Sequence, residues 1–178
     1  MTFFKNFYKT IFKYDLLNKF NYTRTKNLPV IKKIILNFGC KNTKLKNLAA
    51  SFLALELISC QKGILTKTRK SNLFLKIRKG NPVGCKVVLK NKQMFCFLER
   101  NLNEILPKEK NTYKINKNNL ISKNFFSYEI HNKFTFNELE KHYYLFNDLE
   151  KLDITLVINV TFNKELFFLL KSFKFPHK

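Results

Sequence analysis

Apolar residues recur along the chain in two rhythms, one near every third or fourth position and one at every second, and their alternation predicts the elements. Phe4, Phe7, Tyr8 and Ile11 share one face of a helix predicted over about residues 3–19. A polar connection and Pro29 lead into a strand from Val30 to Gly39. Its Lys32, Ile34, Leu36 and Phe38 point one way, and Ile31, Lys33, Ile35 and Asn37 the other. A helix over about 44–59 then turns Leu45, Leu48, Ala49, Phe52 and Leu55 inward. A strand near 63–69 runs into a polar loop at 70–83, where Gly80, Asn81-Pro82 and Gly84 carry turn geometry. Cys85 to Lys90 resumes as strand. Asn91 is placed to cap a helix over about 92–106, with Met94, Phe97, Leu98, Leu102 and Ile105 inward and Pro107 ending it. Residues 108–124 are weakly patterned and read as a loop; strands near 125–130 and 153–162 and a helix near 163–172 follow. The order predicts an α+β fold, a largely antiparallel sheet with helices packed on one face and a protruding basic loop.

Charge changes the picture most. Between Glu56 and Glu99 stand ten Lys or Arg and no carboxylate. The 178 residues carry a net charge of +22, and 45% of them are hydrophobic, enough to build a core. The charge is uneven: residues 1–98 hold only Asp15 and Glu56 as acids, whereas ten Asp or Glu follow from 99 onward. A single lysine is ordinarily a solvated surface residue. A long acid-free cationic run is different, because like charges repel and folding alone does not gather them. A polyanion does, since each phosphate contact releases condensed counterions.

Other chemistries find little support. Cys40, Cys60, Cys85 and Cys96 show no Cys-x-x-Cys and no zinc spacing with His131, His142 or His177, which points to reduced thiols without metal or disulfide. No glycine-rich phosphate loop or nucleophile triad is present. Glu138, Glu140, Asp148, Glu150 and Asp153 sit among Lys141 and Lys151, where surface ion pairing is simpler than acid–base catalysis. Neither an enzyme nor a cofactor is therefore expected. No apolar run reaches the roughly 18 residues of a membrane span, and the start does not read as a signal peptide. Abundant Phe, Lys, Asn and Ile with scarce Gly and Pro point to an A/T-rich genome, in an organelle or a reduced endosymbiont.

Several blocks carry a resemblance. They are Leu36-Asn37-Phe38-Gly39, Ser59-Cys60-Gln61-Lys62, Thr66-Lys67-Thr68-Arg69-Lys70-Ser71, and the run from Lys76-Ile77-Arg78 through Gly80-Asn81-Pro82-Val83-Gly84-Cys85-Lys86-Val87. Met94 to Arg100, Leu152-Asp153-Ile154-Thr155 and Phe173-Lys174-Phe175-Pro176 continue it in order. From about residue 5 onward the chain resembles large-subunit ribosomal protein five, the universal family that binds 5S ribosomal RNA, in its bacterial-type form.

The resemblance implies a structural protein of the large ribosomal subunit in a single domain over 1–178. It would comprise an N-terminal helix at 3–19, an RNA-binding half at 28–106, a variable loop at 108–124, and C-terminal strands and helix at 125–178. It implies contacts to ribosomal RNA, including 5S RNA where present, from Asn37, Gln61, Lys62, Thr66, Lys67, Arg69 and Lys86. A further family contact, a Thr, falls at Val88, which has no hydroxyl. The loop 70–83 implies contact with the elbow of the peptidyl-site tRNA through Lys70, Ser71, Asn72, Lys76, Arg78 and Lys79. Leu73-Phe74-Leu75 make its tip more apolar than in relatives. The second half implies a bridge to a protein of the small-subunit head, and the expected location is a mitochondrial ribosome, with a plastid or endosymbiont cytoplasm as alternatives. Two other readings of the residues are a free-standing organellar RNA-binding or RNA-maturation factor and a peripheral membrane protein using the N-terminal amphipathic helix.

Overall fold

The computed structural model describes residues 3–40, 45–74, 77–109, 121–122, 124–160 and 162–175. Among the described residues six strands form one sheet in the order β2-β3-β1-β6-β5-β4. They are β1 (Val30–Gly39), β2 (Ile64–Lys67), β3 (Pro82–Leu89), β4 (Ile121–Ser122), β5 (Phe125–Ile130) and β6 (Leu152–Asn159). The pairs β2–β3 and β4–β5 are antiparallel. The α-helical segments are α1 (Phe3–Phe7), α2 (Lys13–Lys19), α3 (Leu45–Ser59), α4 (Asn91–Arg100), α5 (Leu106–Lys108), α6 (Asn137–Glu140), α7 (Tyr143–Phe146) and α8 (Asn163–Ser172). This is the α+β, antiparallel-sheet class that the residue pattern predicts.

The chain divides into two compact units, and β1 and β6 each contribute residues to both. The first comprises Met1–Ile34, Leu89–Tyr128 and Thr155–Lys178. Its core is aromatic: Phe12 is fully buried, with ring centroids 5.8 Å from both Phe168 and Phe173. Phe126 and Tyr128 gather around Phe175 at 5.6 and 6.1 Å, and the buried Asn101 amide donates to the Tyr128 hydroxyl at 2.7 Å. Burial pushes the Tyr128 hydroxyl pKa upward, and the bond from Asn101 opposes that shift only in part.

The second unit comprises Ile35–Val88 and Glu129–Ile154. Here α3 packs against α6 and α7. Leu36, Phe38, Cys85, Val87, Leu152 and Ile154 are buried at alternate strand positions. Ile35, Asn37, Val88 and Asp153, at the other parity, are only half-buried, so this portion of the sheet has one covered and one open face.

Several elements differ from the pattern reading. Between α1 and α2 the helix passes through a π-helical turn, Tyr8–Phe12, which adds a residue to that turn. The buried stripe is therefore Phe4, Phe12 and Leu16, with Phe7 and Tyr8 half-buried and Ile11 51% exposed. In β1, Ile31 and Ile34 are both buried and Lys32 is exposed, so the alternation slips where two lysines resist burial. In α3 the inward residues are Leu48, Ser51, Ala54, Leu55, Ile58 and Ser59, while Leu45 and Ala49 are exposed and Phe52 is half-buried. The helix is apolar around most of its circumference, so periodicity alone leaves its inner face ambiguous. Ser51 is tolerated inside because its hydroxyl donates to the Leu48 carbonyl at 2.8 Å.

Strand β3 starts at Pro82, earlier than the turn residues indicate, and β6 ends at Asn159 rather than 162. Asn91 begins α4 with a φ of 51° instead of capping it from outside. A second π-helical turn, Asn101–Ile105, puts Asn101 in the interior and leaves Leu102 half-buried, and Pro107 is carried within the first turn of α5. The short helices α6 and α7 are absent from the pattern reading because they are too brief to show a period. Of the predicted loop 108–124, residues 121–122 instead form β4, and 110–120 and 123 lie outside the described residues.

Candidate nucleic-acid interface

The second unit places Asn37, Thr66 and Lys86 on its open sheet face and the other expected contact residues in the turn and loop beside it. The Cys40 N–H donates to the Val83 carbonyl at 2.9 Å, which sets the end of β1 against the start of β3. Counting back along antiparallel strands places Asn37 beside Lys86 and Ile35 beside Val88. On the other side of β3, Ile64 pairs with Lys86 and Thr66 with Gly84. Across from Asn37 on β6 is Asp153, whose Oδ2 accepts from the Asn37 amide nitrogen at 3.4 Å. One row thus crosses four strands as Ile64, Lys86, Asn37 and Asp153, with Thr66 and Val88 close by on the same face.

Gly84 makes this packing possible. A Cβ there would stand 2.6 Å from the Phe38 carbonyl oxygen and 3.0 Å from Thr66 Oγ1. Gly84→Ala is expected to destabilise the chain by about 1–3 kcal/mol, because β1 cannot retreat without losing its ladder. A denaturant melt of the variant checks this, and an unchanged midpoint would contradict the close approach.

Gln61 follows α3, three residues before β2. Cys60 closes the helix at a φ of 50°, and the Gln61 N–H donates to Ser59 Oγ at 3.3 Å. The Gln61 Oε1 is buried without a hydrogen-bond partner among the described residues. Gly63 N–H donates to Glu56 Oε1 at 3.0 Å, so the last acid before the cationic run helps shape this turn.

Lys62, Lys67 and Lys86 are exposed, as are Arg69, Lys70, Ser71, Asn72, Arg78 and Lys79. A register shift between Thr66 and Lys67 ends the regular β2–β3 ladder. Beyond it Thr68 holds the loop stem: its N–H donates to the Asn81 carbonyl at 3.0 Å and its hydroxyl to the Arg78 carbonyl at 2.8 Å. Asn72 and Ile77 exchange two backbone hydrogen bonds of 2.9 Å. The basic loop is therefore a narrow hairpin with Arg69, Lys70, Arg78 and Lys79 outside. Leu73 and Phe74 at its tip are 90% and 98% exposed. Lys76 and Leu75 lie outside the described residues.

Pattern reading misses Asp153 as part of this site. The only local signal is a charged residue at an outward position of an apolar strand. Burial pushes its carboxyl above the usual carboxylate range, partly opposed by the Asn37 hydrogen bond, with Glu129, Lys151 and His131 acting through space. Lys151 itself is paired with Glu129 at 2.7 Å. Among the described residues there is no group of three His, Cys, Asp or Glu placed to hold a metal, and no helix long and apolar enough to cross a membrane.

Comparison with known proteins agrees with the residue blocks. Residues 82–177 match the C-terminus of the ribosomal L5 protein family. The chain is 34% identical over 174 residues to the large ribosomal subunit protein uL5m of Reclinomonas americana, covering 97% of this chain and 96% of that one. It is 36% identical over 176 residues to large ribosomal subunit protein uL5 of Ehrlichia ruminantium, covering 97% of each. To large ribosomal subunit protein uL5c of Oedogonium cardiacum it is 34% identical, covering 92% of this chain and 91% of that one. With a match over more than half its length and relatives aligned almost end to end, the chain belongs to the ribosomal L5 family.

Proposed function

We propose that the chain is a structural, non-catalytic constituent of the large ribosomal subunit that holds ribosomal RNA against the open face of β2, β3, β1 and β6. The observation that carries this reading is the amide of Asn37 beside Lys86 on an uncovered sheet face, bordered by an acid-free run of exposed cations. Cations take phosphates by counterion release and fix position, while amides and hydroxyls bond ribose and base edges. Lys62, Lys67, Arg69 and Lys86 take the first role, and Asn37, Gln61 and Thr66 the second. The RNA is that of the central protuberance, including 5S RNA where the ribosome has one. Val88 keeps the β-branched shape of the strand but offers no hydroxyl, so one contact of the set is lost.

The hairpin loop extends the same chemistry outward. Lys70, Ser71, Asn72, Lys76, Arg78 and Lys79 meet the backbone of the peptidyl-site tRNA, with Leu73 and Phe74 at the point of approach. The second half of the fold adds a bridge to a small-subunit head protein. A mitochondrial ribosome is the proposed setting, supported by a composition rich in Phe, Lys, Asn and Ile and by the likeness to the uL5m chain of Reclinomonas americana.

Sedimentation tests the reading. The tagged chain is expected to travel with large subunits through a high-salt sucrose gradient and to resist a wash that strips loosely bound factors. Recovery wholly in the free fraction would contradict a structural role and favour a free-standing RNA-binding factor.

A further inference from the structure

A carboxylate is out of place on a surface that receives a polyanion, yet Asp153 stands in the row with Lys86 and Asn37. Its Oδ1 is buried without a hydrogen-bond partner among the described residues, and its Oδ2 accepts from the Asn37 amide. An ionised carboxylate can only accept, so the Asn37 side chain must turn its nitrogen toward β6. The amide is planar, and its carbonyl oxygen is then aimed away from Asp153. That oxygen has use for a hydroxyl or amino donor and none for a phosphate oxygen.

We propose that Asp153 is the positioning residue for Asn37. It fixes the amide with its carbonyl oxygen toward RNA, so the row takes phosphate at Lys86 and a ribose hydroxyl or base amino group at Asn37. This rests on the reading that RNA lies on this face, and it adds which chemical group of the RNA meets which residue.

The test is a double-mutant cycle in the full chain, with a bacterial 5S ribosomal RNA transcript as probe. Asp153→Leu is expected to lose about tenfold in affinity with an unchanged salt slope, since the lost contact involves no phosphate. In an Asn37→Ala background the same change should cost almost nothing, because Asp153 acts through Asn37. Asp153→Asn, whose carbonyl can still accept from Asn37, should restore most of the affinity. Equal losses in both backgrounds, or a changed salt slope, would overturn the assignment.

The free wild-type chain supplies a check that needs no variant to fold. The Asn37 side-chain amide resonances should titrate in step with the Asp153 carboxyl, and indifference to that carboxyl would overturn the proposal. Single 2′-deoxy substitutions at nucleotides the chain protects then identify the donor. Loss of the Asp153 effect assigns the ribose hydroxyl and its persistence assigns a base amino group, and both support an acceptor facing RNA. Wild-type chain that binds neither this transcript nor large-subunit ribosomal RNA would remove the reading that RNA lies on this face. Wild-type binding with additive variants would remove only the role of Asp153.

Discussion

Replacing Arg69, Lys70, Arg78 and Lys79 together by alanine is expected to weaken RNA binding by roughly 10²–10³-fold at physiological salt. It should also flatten the logarithmic salt dependence by about three units of slope. The reasoning is electrostatic. All four side chains are exposed, so each can meet a phosphate, and each phosphate neutralised releases most of one condensed counterion. The fold should survive, because the hairpin is held by Thr68 and by the Asn72–Ile77 backbone pair rather than by these cations. Filter binding at several salt concentrations reads both numbers, with ribosomal RNA as the probe for Arg69 and tRNA as the probe for Lys70, Arg78 and Lys79. An unchanged slope would mean that the loop carries charge without touching RNA.

Phe12→Ala should cause the largest loss of stability, about 3–5 kcal/mol, whereas Ile11→Ala should stay within about 0.5 kcal/mol. Phe12 is completely buried, with ring centroids 5.6 Å from Tyr8 and 5.8 Å from Phe168 and Phe173; Ile11 is half in solvent. At this chain length the Phe12 loss corresponds to a fall in Tm of roughly 10 °C, measurable by calorimetry. A regular α-helix would put Ile11 inside, so similar losses for the two variants would contradict the π-helical turn at Tyr8–Phe12. Neither change touches the unit that carries the proposed RNA face. Any RNA affinity measured below the melting range should therefore stay near that of the wild type.

These two positions show where periodicity carries information and where it stops. Strand β5 and helix α8 are found at the residues their patterns predict, because alternation and 3.6-residue spacing are local and uninterrupted there. A π-helical turn leaves no trace in composition, so the first helix turns Phe12 rather than Ile11 inward, and the helix from Asn91 buries Asn101 and leaves Leu102 half-buried while Ile105 stays inside as predicted. Helix α3 departs from its pattern for another reason: with apolar residues on most sides, only its partners α6 and α7 decide which side is buried.

The site divides in the same way. The cationic run can be counted from the sequence, and the residues of β1, β2 and β3 that share its open face follow from strand parity once the register is known. Asp153 cannot be assigned so. It lies 116 positions from Asn37, and nothing short of the β1–β6 pairing brings the carboxylate to the amide. The same pairing turns a polar residue that resembles an ordinary surface acid into part of the row on the open sheet face.

A density map of the assembled large subunit containing this chain tests the central claim most directly. RNA is expected against the open face, with a phosphate near Lys86, a ribose or base donor at the Asn37 carbonyl oxygen, and the 70–83 hairpin reaching toward tRNA. A map in which that face looks into solvent, with RNA only on other surfaces of the chain, would contradict it.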